Sequence, residues 1–391
     1  MKCLSLFFFL LSIICSNAQN IHIVDSEDLQ PLSGVSIVAE TGHGTITNAD
    51  GVFDLSFSEA YIKVTISHIS YQTQTIERNL IQDTIRLQLS PIRLDEVTVS
   101  NFNAKDSLEK AIRSIPKNYV REPYNSFGFF RQSLEEDGKG VEMIEVSFIG
   151  YYNPTSEKKP FQVEIRDGKK TDNLSKFKVE TVGGVLALIE GGDFVRNQNY
   201  FLDLNKMENY VFSYEGFIEK ENDSKIYIIA FEPSMEADLS YLRQGKLFIH
   251  SESFAIVEID YRFDEERVQI IFDQLNSKNE GSRPKYLLKG VSAKIKYSKN
   301  TNNKWSLSYV DVVNDQLGVF QGEQYLYSIL GKLVITNNRF SKVYKAKTNY
   351  NLKENFTKSV KEISKASNWD ALHSILMSDR EKEALKNIFN L

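Results

Sequence analysis

Residues 44–56, GTITNADGVFDLS, admit two readings that lead to different proteins. Acidic and amide side chains around a glycine suit a calcium loop. They also suit a tight β-hairpin. A calcium loop needs more oxygen ligands, usually closed by a distant bidentate carboxylate. Here Val52 and Phe53 follow the glycine at once. Ile46 stands on one side of the turn. Phe53, Leu55 and Phe57 stand on the other, at the period-2 spacing of a strand with one buried face. Asn48 and Asp50 suit turn positions because their side chains bond nearby backbone, and Gly51 can take φ > 0 without a Cβ clash. Asp54 is expected on the solvent face. The stretch reads as a turn rather than a metal site.

Similar short runs surround it. NIHIVD, GVSIVAE, YIKVTISHISY and DTIRLQL alternate polar and apolar residues between turn signals, from residue 20 to residue 89. Even spacing of such strands predicts an antiparallel β-sandwich. PLSGVSIV, GTITNADGVFDLS, VTISHISYQTQTI and LSPIRLDEVTVS together resemble, in order, the carboxypeptidase regulatory-like domains. These are transthyretin-like β-sandwiches found at the front of exported proteins of Bacteroidetes-type bacteria, TonB-dependent receptors among them. His68 stands where the family usually has an aromatic, and Ser70 where it has a glycine, both at strand ends. The resemblance implies a scaffold or docking module over residues 19–100, without catalytic residues. LDEVTVS (94–100) reads as a last edge strand leading into a linker. The other reading, strand addition to a periplasmic partner, lacks the plug-like sequence that follows in receptors.

The chain has 391 residues, 41% hydrophobic and 25% charged, enough for two domains with real cores. A net charge of -5 and a pI near 5.7 give no bulk attraction for nucleic acid. Residues 1–18, MKCLSLFFFLLSIICSNA, read as a secretory signal: Lys2, an apolar run from Leu4 to Cys15, then small residues at Ser16 and Ala18. Cleavage after Ala18 is expected. A lipoprotein alternative would place the lipid on Cys15, but SIIC lacks the small residues such signals prefer. Both cysteines, Cys3 and Cys15, lie in that segment, so the mature chain would hold no disulfide and no thiolate. Removing Lys2 would take the charge from -5 to -6. No later segment reaches a membrane-spanning length.

Residues 101–391 read as an α+β domain with a large curled antiparallel sheet and a few helices. NAKDSLEKAIRSIPKNY is helical, with Asp106 and Glu109 in a capping-box pattern, an apolar stripe at Leu108, Ala111, Ile112 and Ile115, and Pro116 at its end. Strand-like runs follow from SFGFFRQSLE to KWSLSYVDVV, interrupted by GGVLALIEGGDFV (183–195) as a short helix over the sheet. NWDALHSILMSDREKEALKNIF reads as the last helix. GKLFIHSESFAIVEIDYRF is two strands around Ser251-Glu252-Ser253. With YVFSYEGFIEK and KIYIIAFEP it resembles the repeated hairpins of half-barrel proteins related to periplasmic lipoprotein carriers, over about residues 205–345. An outer-membrane barrel fits less well, because charges fall on both parities of FQVEIRDGK and KYLLKGVSAKIKYSKN.

The sequence offers no residue set with catalytic, cofactor-binding or metal-ligating spacing. The histidines are His22, His43, His68, His250 and His373, with no HxxxH or HxxE pair. There is no GxSxG elbow, P-loop or GxGxxG after a strand. EGGDFVRN reads as a turn. Glu135-Glu136-Asp137, Asp264-Glu265-Glu266, SEKKP and DGKK read as solvated segments. Phe212, Tyr214, Phe217, Tyr227 and Phe231 are presented by successive hairpins, and Phe212, Tyr214, Tyr227 and Phe231 are expected on one concave face. The expected function is a non-enzymatic, exported envelope component that binds or assembles, with an envelope protein or an apolar or glycan ligand as partner. The competing readings are a secreted hydrolase with an accessory sandwich and a periplasmic carrier of an apolar ligand. The oligomeric state is not specified.

Overall fold

The structure is a computed structural model that describes residues 20–57, 61–93, 102–153, 161–172, 183–221, 224–277, 285–300, 302–320, 323–363 and 375–389. The signal segment, LDEVTVS and His373 therefore lie outside the described residues.

The first strands are β1 (Asn20–Asp25), β2 (Ser36–Ala39), β3 (Gly44–Ile46), β4 (Val52–Asp54), β5 (Lys63–Ser67), β6 (Gln74–Glu77) and β7 (Thr84–Leu87). They form two sheets, β4-β1-β7 and β3-β2-β5-β6. Period-2 alternation sends Ile21, Ile23, Ile37, Val64, Ile66, Ile85 and Leu87 into one shared core with Phe53. The expected sandwich is present, with one correction: β1 and β7 pair in parallel, with Ile23 opposite Ile85. Strand β4 also ends at Asp54. Leu55 is buried from a short 3-10 turn rather than from a continuing strand.

The rest of the chain builds one sheet. Its strands are β8 (Ile92–Arg93), β9 (Tyr124–Glu136), β10 (Lys139–Tyr152), β11 (Phe161–Asp172), β12 (Tyr210–Glu219), β13 (Lys225–Pro233), β14 (Arg243–His250), β15 (Ile256–Phe263), β16 (Lys285–Lys299), β17 (Trp305–Phe320) and β18 (Glu323–Arg339). The order is β11-β10-β9-β18-β17-β16-β15-β14-β13-β12-β8, antiparallel throughout. Among the described residues its outer strands, β11 and β8, do not pair with each other. Two joints fix this topology. β18 returns to pair with β9, and the two-residue β8, immediately after the sandwich, lies against β12 through Ile92 and Arg93.

The helices are α1 (Ala104–Asn118), α2 (Gly184–Gly192), α3 (Phe194–Asn197), α4 (Glu265–Ser277), α5 (Phe356–Ile363) and α6 (Asp379–Phe389). One face of the large sheet carries α1, α2, α3 and α5. The α1 stripe at Leu108, Ala111, Ile112 and Ile115 joins Phe130, Val146, Val310, Leu333 and Phe356 in a single core. The opposite face carries the sandwich and α6. There Ile46 packs with Phe129, Tyr309, Val334 and Ile375, and Ile69 packs against Ile218, Ile228, Phe248 and Val257. Covered on both sides, β9 and β10 are buried along most of their length.

Local readings are corrected in several places. The cap of α1 is Asn103, whose Oδ1 accepts from Asp106 N at 3.1 Å, so Asp106 sits in the first turn rather than at the cap. Pro116 lies inside the last turn, and the helix runs on to Asn118. Glu265 and Glu266 begin α4, capped by Asp264 Oδ1 on Arg267 N. Glu135 and Glu136 are buried on β9 rather than solvated. Lys170 of DGKK lies on β11 beside Glu142. Of NWDALHSILMSDREKEALKNIF, residues 368–374 lie outside the described residues, 375–378 are not helical, and the described helix is Asp379–Phe389.

Candidate functional site

The aromatic face expected from the hairpins exists, and it is filled. Phe212, Tyr214 and Phe217 lie opposite Phe231, Ile229 and Tyr227. Phe217 has the wrong parity for a regular strand; a bulge between Tyr214 and Gly216 restores it, with Gly216 at φ 111°. The chain's own residues cover this face. Phe201 lies 4.1 Å from Phe231, and Phe102 stacks on Tyr214 at 4.1 Å. Phe231 is 2% exposed.

An opening remains at the other end of the helix face, where the C-terminal end of α1 meets the α2–α3 corner. It is a cleft of about 330 Å³ lined by Tyr119, Tyr124, Tyr152, Arg196, Trp305 and Leu307, among others. The corner is made by Asp193, the residue that ends α2 and caps α3. Its Oδ1 accepts from Arg196 N at 3.3 Å and lies 3.3 Å from the Tyr297 hydroxyl, which itself accepts from Val195 N at 3.2 Å. Tyr119 donates to Ile256 O at 2.5 Å and meets Tyr297 edge to face at 5.6 Å. Backbone closes the wall: Val120 N donates to Trp305 O at 3.0 Å. The Arg196 guanidinium lies 5.4 Å from the ring centres of both Tyr152 and Phe161.

Burial sets the electrostatics. It pushes the Asp193 carboxyl up from its usual range, against the opposing pull of Arg196. It also raises the Tyr119, Tyr124, Tyr152 and Tyr297 hydroxyls. The cleft thus offers aromatic faces, a held carboxylate and a held guanidinium, an arrangement suited to binding an amphipathic small group.

In the sequence EGGDFVRN reads as a turn; in the fold its Asp193 and Arg196 form the polar centre of the cleft. A signal was present: an acid three residues before an arginine, at a break between two apolar helical stretches. What was not visible is that Tyr119, Tyr297 and Trp305 converge there from α1, β16 and β17. Among the described residues no group of three or more His, Cys, Asp or Glu side chains is placed to hold a metal, and no helix is long and apolar enough to cross a membrane. Of the histidines, His68 is held neutral, its ring pushed down to about 3 by burial and by Lys296, Lys294 and Lys220.

Residues 22–99 match the family described as CarboxypepD_reg-like domain, as the four quoted segments implied. No curated protein matches the chain. Among solved structures, it is similar to an outer membrane lipoprotein-sorting protein domain from Vibrio parahaemolyticus, at TM-score 0.27 and 11% identity, over 62% of this chain and 95% of that one. A LolA superfamily protein from Nitrosomonas europaea gives TM-score 0.25 and 9% identity, over 62% and 94%. A DUF1329 family protein from Desulfovibrio piger gives TM-score 0.25 and 12% identity, over 62% and 95%.

Proposed function

We propose that this chain is an exported, non-catalytic binding component of the bacterial cell envelope, and that the cleft between α1, α3 and β17 holds its ligand. The carrying observation is the contrast within one sheet face. Most of that face is sealed by α1, α2, α5 and residues 194–210, while one end opens into a cleft walled by Tyr119, Tyr124, Tyr152 and Trp305. Large aromatic surfaces around a few fixed polar groups suit recognition. The secretory character of residues 1–18 and the regulatory-like domain at 22–99 support an envelope setting, in which the sandwich serves as a scaffold.

Saturation-transfer NMR of the purified chain against a library of small sugars, organic acids and short-chain lipids tests the reading. A binder is expected whose affinity falls about tenfold with Tyr152→Ala, a half-buried position at the cleft wall, measured at a temperature where the variant remains folded. Hits indifferent to Tyr152→Ala would move the site elsewhere. Turnover of a glycan, peptide or ester, abolished by Asp193→Asn, would replace the binding reading with an enzymatic one.

A further inference from the structure

Arg196 lines the cleft and is paired in charge with Asp193, yet one edge of its guanidinium makes no hydrogen bond within the protein. Nε and Nη2 of Arg196 are both buried and have no hydrogen-bond partner within the protein. Those two nitrogens form one edge of the planar guanidinium, the edge that receives a carboxylate or phosphate through two parallel hydrogen bonds. Asp193 does not fill it. Its Oδ2 stands 3.7 Å from Nε, too far for a hydrogen bond, and its Oδ1 is engaged by Arg196 N and the Tyr297 hydroxyl. The flanking Tyr152 and Phe161 rings keep the guanidinium in place. A further buried donor, Trp305 Nε1, also lacks a partner, and Trp305 lines the same cleft. Buried donors left unpaired are costly, and here three belong to two residues of one cleft. The charge balance runs the same way: the cleft is lined by two cations, Arg121 and Arg196, against one carboxylate, Asp193.

We infer that the cleft recognises an oxyanion, a carboxylate or phosphate group, bound side-on by Arg196 while Tyr124, Tyr152 and Trp305 contact the body of the ligand. The inference rests on the cleft being the ligand site. An acidic sugar and an anionic lipid headgroup share this chemistry, and the experiment separates them.

The chain has two tryptophans, Trp305 and Trp369, so the Trp369→Phe variant, excited selectively at the red edge of tryptophan absorption, reports on Trp305 alone. Its fluorescence is titrated with inorganic phosphate, glucuronate, uncharged methyl glucoside, and vesicles of phosphatidylglycerol or phosphatidylcholine. A saturable change is expected with at least one anionic probe and with neither neutral one. A response to glucuronate or phosphate assigns a soluble ligand; a response confined to phosphatidylglycerol assigns a headgroup. Arg196→Lys keeps the charge but loses the fork, and is expected to weaken binding about tenfold or more. Equal binding of methyl glucoside and glucuronate, or binding unchanged in Arg196→Lys, would overturn the oxyanion while leaving the cleft as a ligand site. No response to any probe would overturn both. Should Arg196→Lys fail to fold, competition decides in the native side chain: an anionic ligand that phosphate or sulfate cannot displace overturns the inference.

Discussion

Asn48 and Asp50 show how a turn residue acquires a second role. Asn48 Oδ1 accepts from Asp50 N at 3.0 Å and Val52 N at 2.9 Å, the local bonds expected of a turn. Gly51 has φ 73°, and a Cβ there would sit 2.6 Å from Ile23 O, so glycine is required twice over. But Asn48 Nδ2 also donates to Met377 O at 3.1 Å, and Asp50 Oδ2 accepts from Asp379 N at 2.7 Å, the first residue of α6. The turn docks the C-terminal helix. Asp50 therefore makes a tertiary bond at a half-buried position, and Asp50→Ala should cost about 0.5–1 kcal/mol. Asn48, 3% exposed, serves three backbone groups, and Asn48→Ala should cost about 2–3 kcal/mol because those groups lose partners. Urea unfolding of the two variants checks the order. A melting temperature that rises several degrees with millimolar calcium, only when Asp50 is present, would restore the metal reading.

Among the elements, α6 is the one whose attachment depends most on charge. Ser378 and Glu381 form a capping box: Glu381 Oε2 accepts from Ser378 N at 2.7 Å, and Glu381 N donates to Ser378 Oγ at 3.2 Å. Glu381 also meets Arg131 at 3.2 Å and Lys332 at 3.7 Å, while Arg131 binds Glu145 at 2.7 Å and donates to Ile375 O. Arg131 is 2% exposed. Burial pushes the Glu381 carboxyl up, but Arg131, Lys332 and the Ser378 bonds outweigh it and hold it at about 2. A carboxyl lowered on folding stabilises the protein above its unfolded value near 4.5, and that contribution is lost as pH falls from there to about 2. Native chain should thus lose more stability between those values than Glu381→Gln, which has no proton to take up. Denaturant midpoints of both proteins against pH would show parallel curves if Glu381 were not the group responsible.

For the whole molecule, the question is what holds the sandwich to the large sheet. Two lysines of the sheet reach backbone carbonyls of the sandwich: Lys220 Nζ donates to His68 O and Tyr71 O at 3.0 and 2.7 Å, and Lys296 Nζ donates to Gly34 O at 2.7 Å. Burial lowers both, Lys220 to about 8, against the pull of Glu258. Glu258, 4% exposed, lies 3.7 Å from Lys296. Removing one member of a buried pair strands the other, so Lys296→Met should cost about 3–5 kcal/mol. Adding Glu258→Leu should recover much of that loss, since the stranded charge is gone. Thermal unfolding of the single and double variants tests this. A double variant no more stable than the single would show that Lys296 acts through the Gly34 carbonyl alone.

Local pattern was enough for the sandwich strands, the α1 stripe and the paired hairpins β12–β13 and β14–β15, because alternation and turn chemistry act over a few residues. It is not enough for β18, whose run EQYLYSILGKLVITNNR does not keep a clean alternation, or for its pairing with β9 across about two hundred residues. Helices α4 and α5 are weakly marked in the sequence, being short and only partly apolar on one side, whereas the Ser378-x-x-Glu381 capping box does mark the start of α6. Burial of Glu135 and Arg131 could not be read from composition: a charge is tolerated inside only where a partner from a distant element meets it. The cleft has the same origin. Asp193 and Arg196 are three residues apart in sequence, but the rings around them come from α1, β10, β16 and β17, and only the tertiary fold brings those four together.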